Sequence, residues 1–180
     1  MRSITKRETV FQTPWFNLEA RQIEGYASSP PHYVVCGNDY VCVVPVTDEG
    51  NILLVQQYRP AVDAYVLELP SGTVDKDMTP ETAILREIRE ETGWRSTYLE
   101  LIGELWPDVG RLGMKQYIYF SKVEPDPERL YPEEGEIDLK AVSMPIEEFM
   151  LTAGRQNGCL HALNLAAVFL AIKHGKLSFE

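Results

Sequence analysis

The sequence predicts an α/β (α+β) layered fold, a mixed β-sheet sandwiched between helices. Three observations carry that prediction. Short apolar runs bounded by turn residues recur along the chain, with helical stretches set between and after them. Tyr40–Val46 and residues 51–58, both strongly apolar, flank Asp48-Glu49-Gly50, which is a hairpin signal. A helix over residues 80–92 carries both a start and a stop signal.

The elements follow in order. Residues 9–11 and 16–23 read as strands, the second alternating Phe16, Leu18, Ala20 against Asn17, Glu19, Arg21. A polar turn over residues 25–31 leads into His32–Cys36, and the hairpin comes next. Residues 65–69 form a further strand that ends at Pro70-Ser71-Gly72. The helix starts at Thr79, whose hydroxyl can cap it, and Pro80, whose missing N–H costs nothing at the first helical position. Glu81 sits in the first turn, where the helix dipole favours an anion, and Gly93 is placed just past the end. Strands are expected near residues 98–105, 116–123 and 137–143. Helices are expected near residues 145–153, stopped by Gly154, and 159–174, stopped by Gly175.

A chain of 180 residues is long enough for one domain with a substantial core. With 44% hydrophobic and 24% charged residues, it has the composition of an ordinary soluble globular protein. A net charge of −10 argues against nucleic acid as a partner, because a phosphate backbone needs clustered Lys and Arg. A phosphorylated small molecule would have to be met by a metal cation and a few placed arginines. Cys36, Cys42 and Cys159 are odd in number and show no C-x-x-C spacing, which suggests neither a disulfide framework nor a zinc site. His32, His161 and His174 are scattered and read as structural or solvated. The first ten residues lack an apolar segment, and the longest apolar run, residues 165–172, is far short of a membrane span. A cytoplasmic protein with no membrane partner is the expectation.

At about 100° per residue, Glu87, Glu90 and Glu91 fall on one narrow face of the helix, bordered by Ile84, Leu85 and Ile88. Arg86 and Arg89 are expected to project elsewhere. Clustered hard oxygen ligands suit Mg²⁺ or Mn²⁺, and such sites usually share the metal with substrate phosphates. A solvated acidic face suits the same residues, and composition does not separate the two.

Gly72, Arg86, Glu87, Ile88, Glu90, Glu91, Gly93 and Trp94 stand at the spacing of the Nudix box, and the chain resembles that family. One position departs from the pattern: the glutamate expected six residues after the glycine is Met78. In the family that glutamate supports the loop and helix more than it holds the metal; Asp77 and Glu81 are candidate substitutes. The resemblance implies the Nudix fold over roughly residues 38–174, within a domain spanning 38–180. Residues 1–37 would be a β extension used for dimerisation and for covering the substrate. The alternative is a packed edge of the same domain.

Within the family, Gln57-Tyr58-Arg59-Pro60 and Glu68-Leu69-Pro70-Ser71-Gly72 resemble the ADP-ribose and nucleotide-sugar diphosphatases. That resemblance implies a metal-binding carbonyl at Ser71 and a substrate contact at Arg59. A strand-end arginine is also commonly a plain salt-bridge partner. Pro107, in Trp106-Pro107-Asp108-Val109-Gly110-Arg111, matches a proline of the subgroup, although such a run is also simply a turn. Arg111 is a candidate for a substrate phosphate. The acidic run Glu133-Glu134-Gly135-Glu136 lies where the subgroup carries a loop that orients the attacking water, so Glu134 and Glu136 are candidates, against a merely solvated loop. Trp15, Tyr33 and Trp106 are aromatic candidates for a nucleobase, Trp15 first.

The implied activity is Mg²⁺-dependent hydrolysis of a nucleoside diphosphate linked to a sugar, ADP-ribose foremost. Glu87, Glu91, Glu90 and the Ser71 carbonyl would hold the metal, with Arg86 holding a carboxylate from behind. The alternatives are a hydrolase of a triphosphate or dinucleoside polyphosphate, and a nucleotide-sugar-binding protein without turnover.

Overall fold

The computed structural model describes residues 2–128, 138–155, 158–159 and 161–178. Ile4–Gln12 (β1), Asn17–Ile23 (β2) and His32–Cys36 (β3) pair antiparallel as a sheet of their own, in the order β1-β2-β3. All of β1 is exposed, and of the three strands only Val34 is buried. The alternation read along residues 16–23 gives no buried face: β2 is half-covered on both sides until its exposed last residue, Ile23.

The second sheet is built from Tyr40–Val46 (β4), Asn51–Arg59 (β5), Ala64–Glu68 (β6), Ser71–Thr73 (β7), Trp94–Leu105 (β8), Gln116–Pro125 (β9) and Lys140–Pro145 (β10). Its order is β10-β5-β4-β9-β8, with β6 on β5 and β7 on β4. The β4–β9 pair is parallel and the others are antiparallel, so the sheet is mixed. Pro80–Thr92 (α1), Ile146–Thr152 (α2) and Ala162–Lys173 (α3) cover it.

The central strand shows why. Val41 and Val43 face α1, packing with Leu53, Tyr119, Ala83, Ile84 and Ile88. Cys42 and Val44 face the other way, packing with Ile118 and Phe120 against Phe149, Ala167, Val168 and Ala171 of α2 and α3. A strand buried on both faces must be apolar throughout, and β4 is. The sheet therefore lies between helices, as expected.

Several bounds differ from the sequence reading. β8 begins at Trp94, directly after the helix cap, and bends through irregularities between Ser96 and Tyr98 and between Leu101 and Gly103. β10 runs over Lys140–Pro145, ending two residues beyond the expected 143, and Pro145 is both its last residue and the N-cap position of α2. α3 starts at Ala162 rather than at Cys159. β7 went unpredicted, because Ser-Gly-Thr reads as a turn until β4 pairs with it. Among the described residues no helix is long and apolar enough to cross a membrane.

Candidate active site

Local chemistry fixes α1. Thr79 Oγ1 accepts from the Thr82 backbone N–H at 3.1 Å, and Thr82 Oγ1 accepts from the Thr79 N–H at 2.9 Å. At the other end Gly93, at φ 71°, donates its N–H to the Arg89 carbonyl at 2.9 Å. Between these caps the helix presents its carboxylates to the Ser71–Thr73 strand.

That face is not a solvated one. Glu87 is 8% exposed and Glu91 5%, with Glu90 partly covered. The Ser71 backbone N–H donates to Glu91 Oε2 at 2.9 Å. Glu87 lies over Gly72 so closely that a Cβ there would sit 2.2 Å from its Oε1. The glycine of the motif is thus a cradle for a carboxylate.

Arg86 does not project elsewhere, as the helix wheel suggested. Its Nη2 donates to Glu87 Oε1 at 3.0 Å, its Nη1 to Asp75 Oδ2 at 3.1 Å, and its Nε lies 3.4 Å from Glu90 Oε2. Burial acts to lower the Arg86 pKa; the hydrogen bond and charge of Glu87, with Asp75, outweigh it and raise the value. Asp75, although exposed, is therefore the loop carboxylate that braces the helix here through Arg86, a bond made by neither Asp77 nor Glu81, the candidates for that role. Met78 is half-buried and donates its N–H to the Asp75 carbonyl at 2.9 Å, closing the turn. Arg89 leaves the face and meets Asp126 at 2.5 Å.

Glu87, Glu90, Glu91 and the Ser71 carbonyl are all hard oxygen donors, which suits Mg²⁺ or Mn²⁺. Among the described residues no three His, Cys, Asp or Glu side chains are already gathered into a cation cage. Mg²⁺ does not need one, since it takes one or two carboxylates and completes its shell with water and phosphate. The donor set and the Gly72 cradle fit such an ion.

A cavity of about 390 Å³ opens beside Ser71 and Gly72, lined also by Arg59, Glu68, Pro107 and Gln116. Arg59 donates to Glu68 Oε2 from Nε at 2.8 Å and Nη2 at 2.6 Å, and Gln57 Nε2 donates to the same oxygen at 3.2 Å. Arg59 is thus both an ion-pair partner and a wall of the cavity. Upstream of the motif, the buried Asn164 of α3 accepts from the Leu69 N–H at 3.0 Å, which pins the approach to Ser71. Cys42 and Cys159 are buried beside Asn164, and burial pushes the Cys159 thiol up to about 11, so it is neutral near pH 7.

Arg111 sits in a second cavity of about 410 Å³, with Arg21, His32 and Trp106, and Leu112 lines both cavities. The loop that carries it is docked on β3. His32 Nε2 lies 2.7 Å from the Gly110 carbonyl oxygen, and Val35 exchanges backbone hydrogen bonds with Arg111 and Gly113. His32 is thus a structural tie. Trp15 is 82% exposed and lines neither cavity, and Tyr33 is exposed as well. Glu134 and Glu136 lie outside the described residues. Asp75, Gln57, Glu68 and Gln116 were not picked out as site residues. The two runs that carry the subgroup resemblance contain Gln57 and Glu68; Asp75 and Gln116 carry no local signal.

The motif, the caps and the mixed sheet between helices have a family counterpart. The NUDIX domain model matches residues 38–159, and the chain belongs to that family. The three-stranded sheet lies outside the match. Among curated relatives, an ADP-ribose pyrophosphatase of Bacillus subtilis is 39% identical over 107 residues, 58% of this chain and 57% of its own length. An ADP-sugar pyrophosphatase of Mus musculus is 28% identical over 151 residues, 76% of this chain and 67% of its own. The chain thus spans little more than half of the Bacillus relative. The crystal structure of an ADP compounds hydrolase superposes with a TM-score of 0.77 over 97% of this chain and 94% of that one, at 24% identity, a likeness of fold.

Proposed function

We propose that the protein hydrolyses the diphosphate linkage of a nucleoside diphosphate sugar, ADP-ribose foremost, giving AMP and ribose 5-phosphate. The observation that carries this is the pair of buried carboxylates, Glu87 and Glu91, held against Ser71 and Gly72 beside a cavity walled by Arg59. The names of the two pyrophosphatase relatives support the substrate class.

Glu87 and Glu91 would hold the cation, assisted by Glu90 and the Ser71 carbonyl. A divalent ion bound there, Mg²⁺ or Mn²⁺, would neutralise and polarise the diphosphate. Arg86 keeps Glu87 and Glu90 in position. Arg59 offers its exposed guanidinium edge to a phosphate oxygen, and Arg111 guards the adjoining cavity for a second one. Water adds to one phosphorus as the bridging P–O bond breaks, its proton passing to a carboxylate, for which Glu134 and Glu136 are the candidates.

The β1-β2-β3 sheet serves a homodimer in this reading, with residues 1–37 of one copy helping to close the site of the other. Ile4, Val10, Phe11, Phe16 and Trp15 are all exposed, and such a surface calls for a partner. A two-fold dimer is the commonest way to supply one, and it would bring Trp15 to a nucleobase. Light scattering at micromolar concentration tests the dimer, which a monomer refutes. Product analysis over nucleotide sugars, dinucleotides and triphosphates with Mg²⁺ tests the activity. Triphosphate turnover alone would move the protein to another branch of the family, and none at all would favour a binding protein.

A further inference from the structure

Gln116 opens β9 and is only 3% exposed, yet it lines the same cavity as Arg59, Ser71 and Gly72. Its register explains the placement. Gln116 sits opposite Tyr40 of β4, and Tyr40 is in turn opposite Thr73 of β7. The three side chains therefore line up across the sheet at the end where the box loop leaves it. Gln116 Oε1 is buried and has no hydrogen-bond partner among the described residues. A buried acceptor without a donor is costly, and its retention asks for an explanation outside the apo protein.

The chemistry narrows what completes it. Gln116 Oε1 accepts and cannot donate, so a phosphate oxygen, also an acceptor, cannot satisfy it. A cation is better met by the carboxylates on α1. A hydroxyl satisfies it at no charge cost. Sugar hydroxyls are the donors that flank the phosphates in a nucleotide sugar. We propose that Gln116 is a specificity-determining residue that accepts a hydrogen bond from a sugar hydroxyl of the substrate. The assignment rests on the nucleotide-sugar reading above and deepens it. Sites built to bond a hydroxyl reject analogues that lack it, because the protein acceptor is then left buried and bare.

The test is Gln116→Met, similar in shape and apolar, with thermal stability and steady-state kinetics measured on the whole protein. The inference expects the ligand-free melting temperature to stay or rise, since an unsatisfied buried acceptor has been removed. KM for ADP-ribose should rise about tenfold, with kcat within about threefold. An ADP alkyl ester, which keeps the nucleoside ribose and lacks the second sugar, separates the two sources of hydroxyl. A KM penalty on ADP-ribose alone assigns the contact to the second sugar, and an equal penalty on both assigns it to the nucleoside ribose. An unchanged KM on both, or a melting temperature lowered by several degrees, makes Gln116 a structural residue and overturns the inference. Failure of the wild-type protein on every nucleotide sugar is a different result: it overturns the hydrolase reading and the sugar contact with it.

Discussion

In the seven-stranded sheet, Val41, Cys42, Val43 and Val44 of β4 are wholly buried, with α1 on one side and α3 on the other. In the three-stranded sheet, β1 leaves every residue exposed. Strands pair through backbone ladders in both sheets, so pairing alone does not distinguish them. Burial does: at about 25 cal/mol per Å² of apolar surface removed from water, β4 contributes far more to folding than β1, whose apolar side chains stay about half exposed. The covered sheet backs the buried carboxylates, with Arg86 between Glu87 and Glu90, while the uncovered one leaves Ile4, Val10 and Phe11 exposed. The ties between them are few and specific, chiefly His32 on Gly110 and Val35 on the 111–113 backbone.

Damage to the covered sheet's site should abolish turnover and leave assembly alone. Glu91→Gln keeps an acceptor for the Ser71 N–H and removes a charge, so kcat should fall by about 10²-fold or more with the fold intact, as read by kinetics beside a melting curve. Glu87→Gln should cost as much. Gly72→Ala sharpens the point without replacing a carboxylate. The added Cβ would meet Oε1, Cδ and Cγ of the buried, Arg86-paired Glu87, so that side chain must leave its place; stability should fall modestly while kcat drops by about 10- to 100-fold.

Damage to the uncovered sheet should show the opposite pattern. Removing residues 1–24 should yield a folded monomer, with KM raised several-fold and metal affinity little changed. An equal loss of substrate and metal binding would mean that the two sheets are not separable. Met78→Glu should do less: Asp75 already braces Arg86, so a second carboxylate should alter metal affinity or stability modestly, seen by titration and melting. If the wild type were inert and Met78→Glu restored turnover, the binding-protein reading would take its place.

The smallest effect concerns pH. Hydrogen bonding from the Glu128 N–H, and then Arg89, holds the Asp126 carboxyl below its ordinary 3.8. A depressed value stabilises the fold above pH 3.8, and the contribution is lost as pH falls through the lower folded value. The melting temperatures of wild type and Asp126→Asn should therefore differ at neutral pH and converge in acid.

Legibility followed range along the chain. The α1 helix, its Thr79 and Gly93 caps and the carboxylate face were readable because all lie within 23 residues and obey local rules. The direction of Arg86 was not readable from the helix wheel, since it depends on Asp75 reaching back from the preceding loop; only the family resemblance had it holding a carboxylate. Gln116 was invisible for a stronger reason: only the parallel pairing of β9 with β4 brings it beside Ser71 and Gly72. The alternation in β2 was real in sequence, but it marks a buried face only when something covers that sheet.

In the proposed function, the covered sheet and its helix perform diphosphate hydrolysis. The most direct measurement is AMP released from ADP-ribose at saturating Mg²⁺, wild type against Glu91→Gln at equal folded concentration. Steady turnover by the wild type and a loss of about 10²-fold or more in the variant are expected. Equal rates from the two proteins would contradict the proposed function.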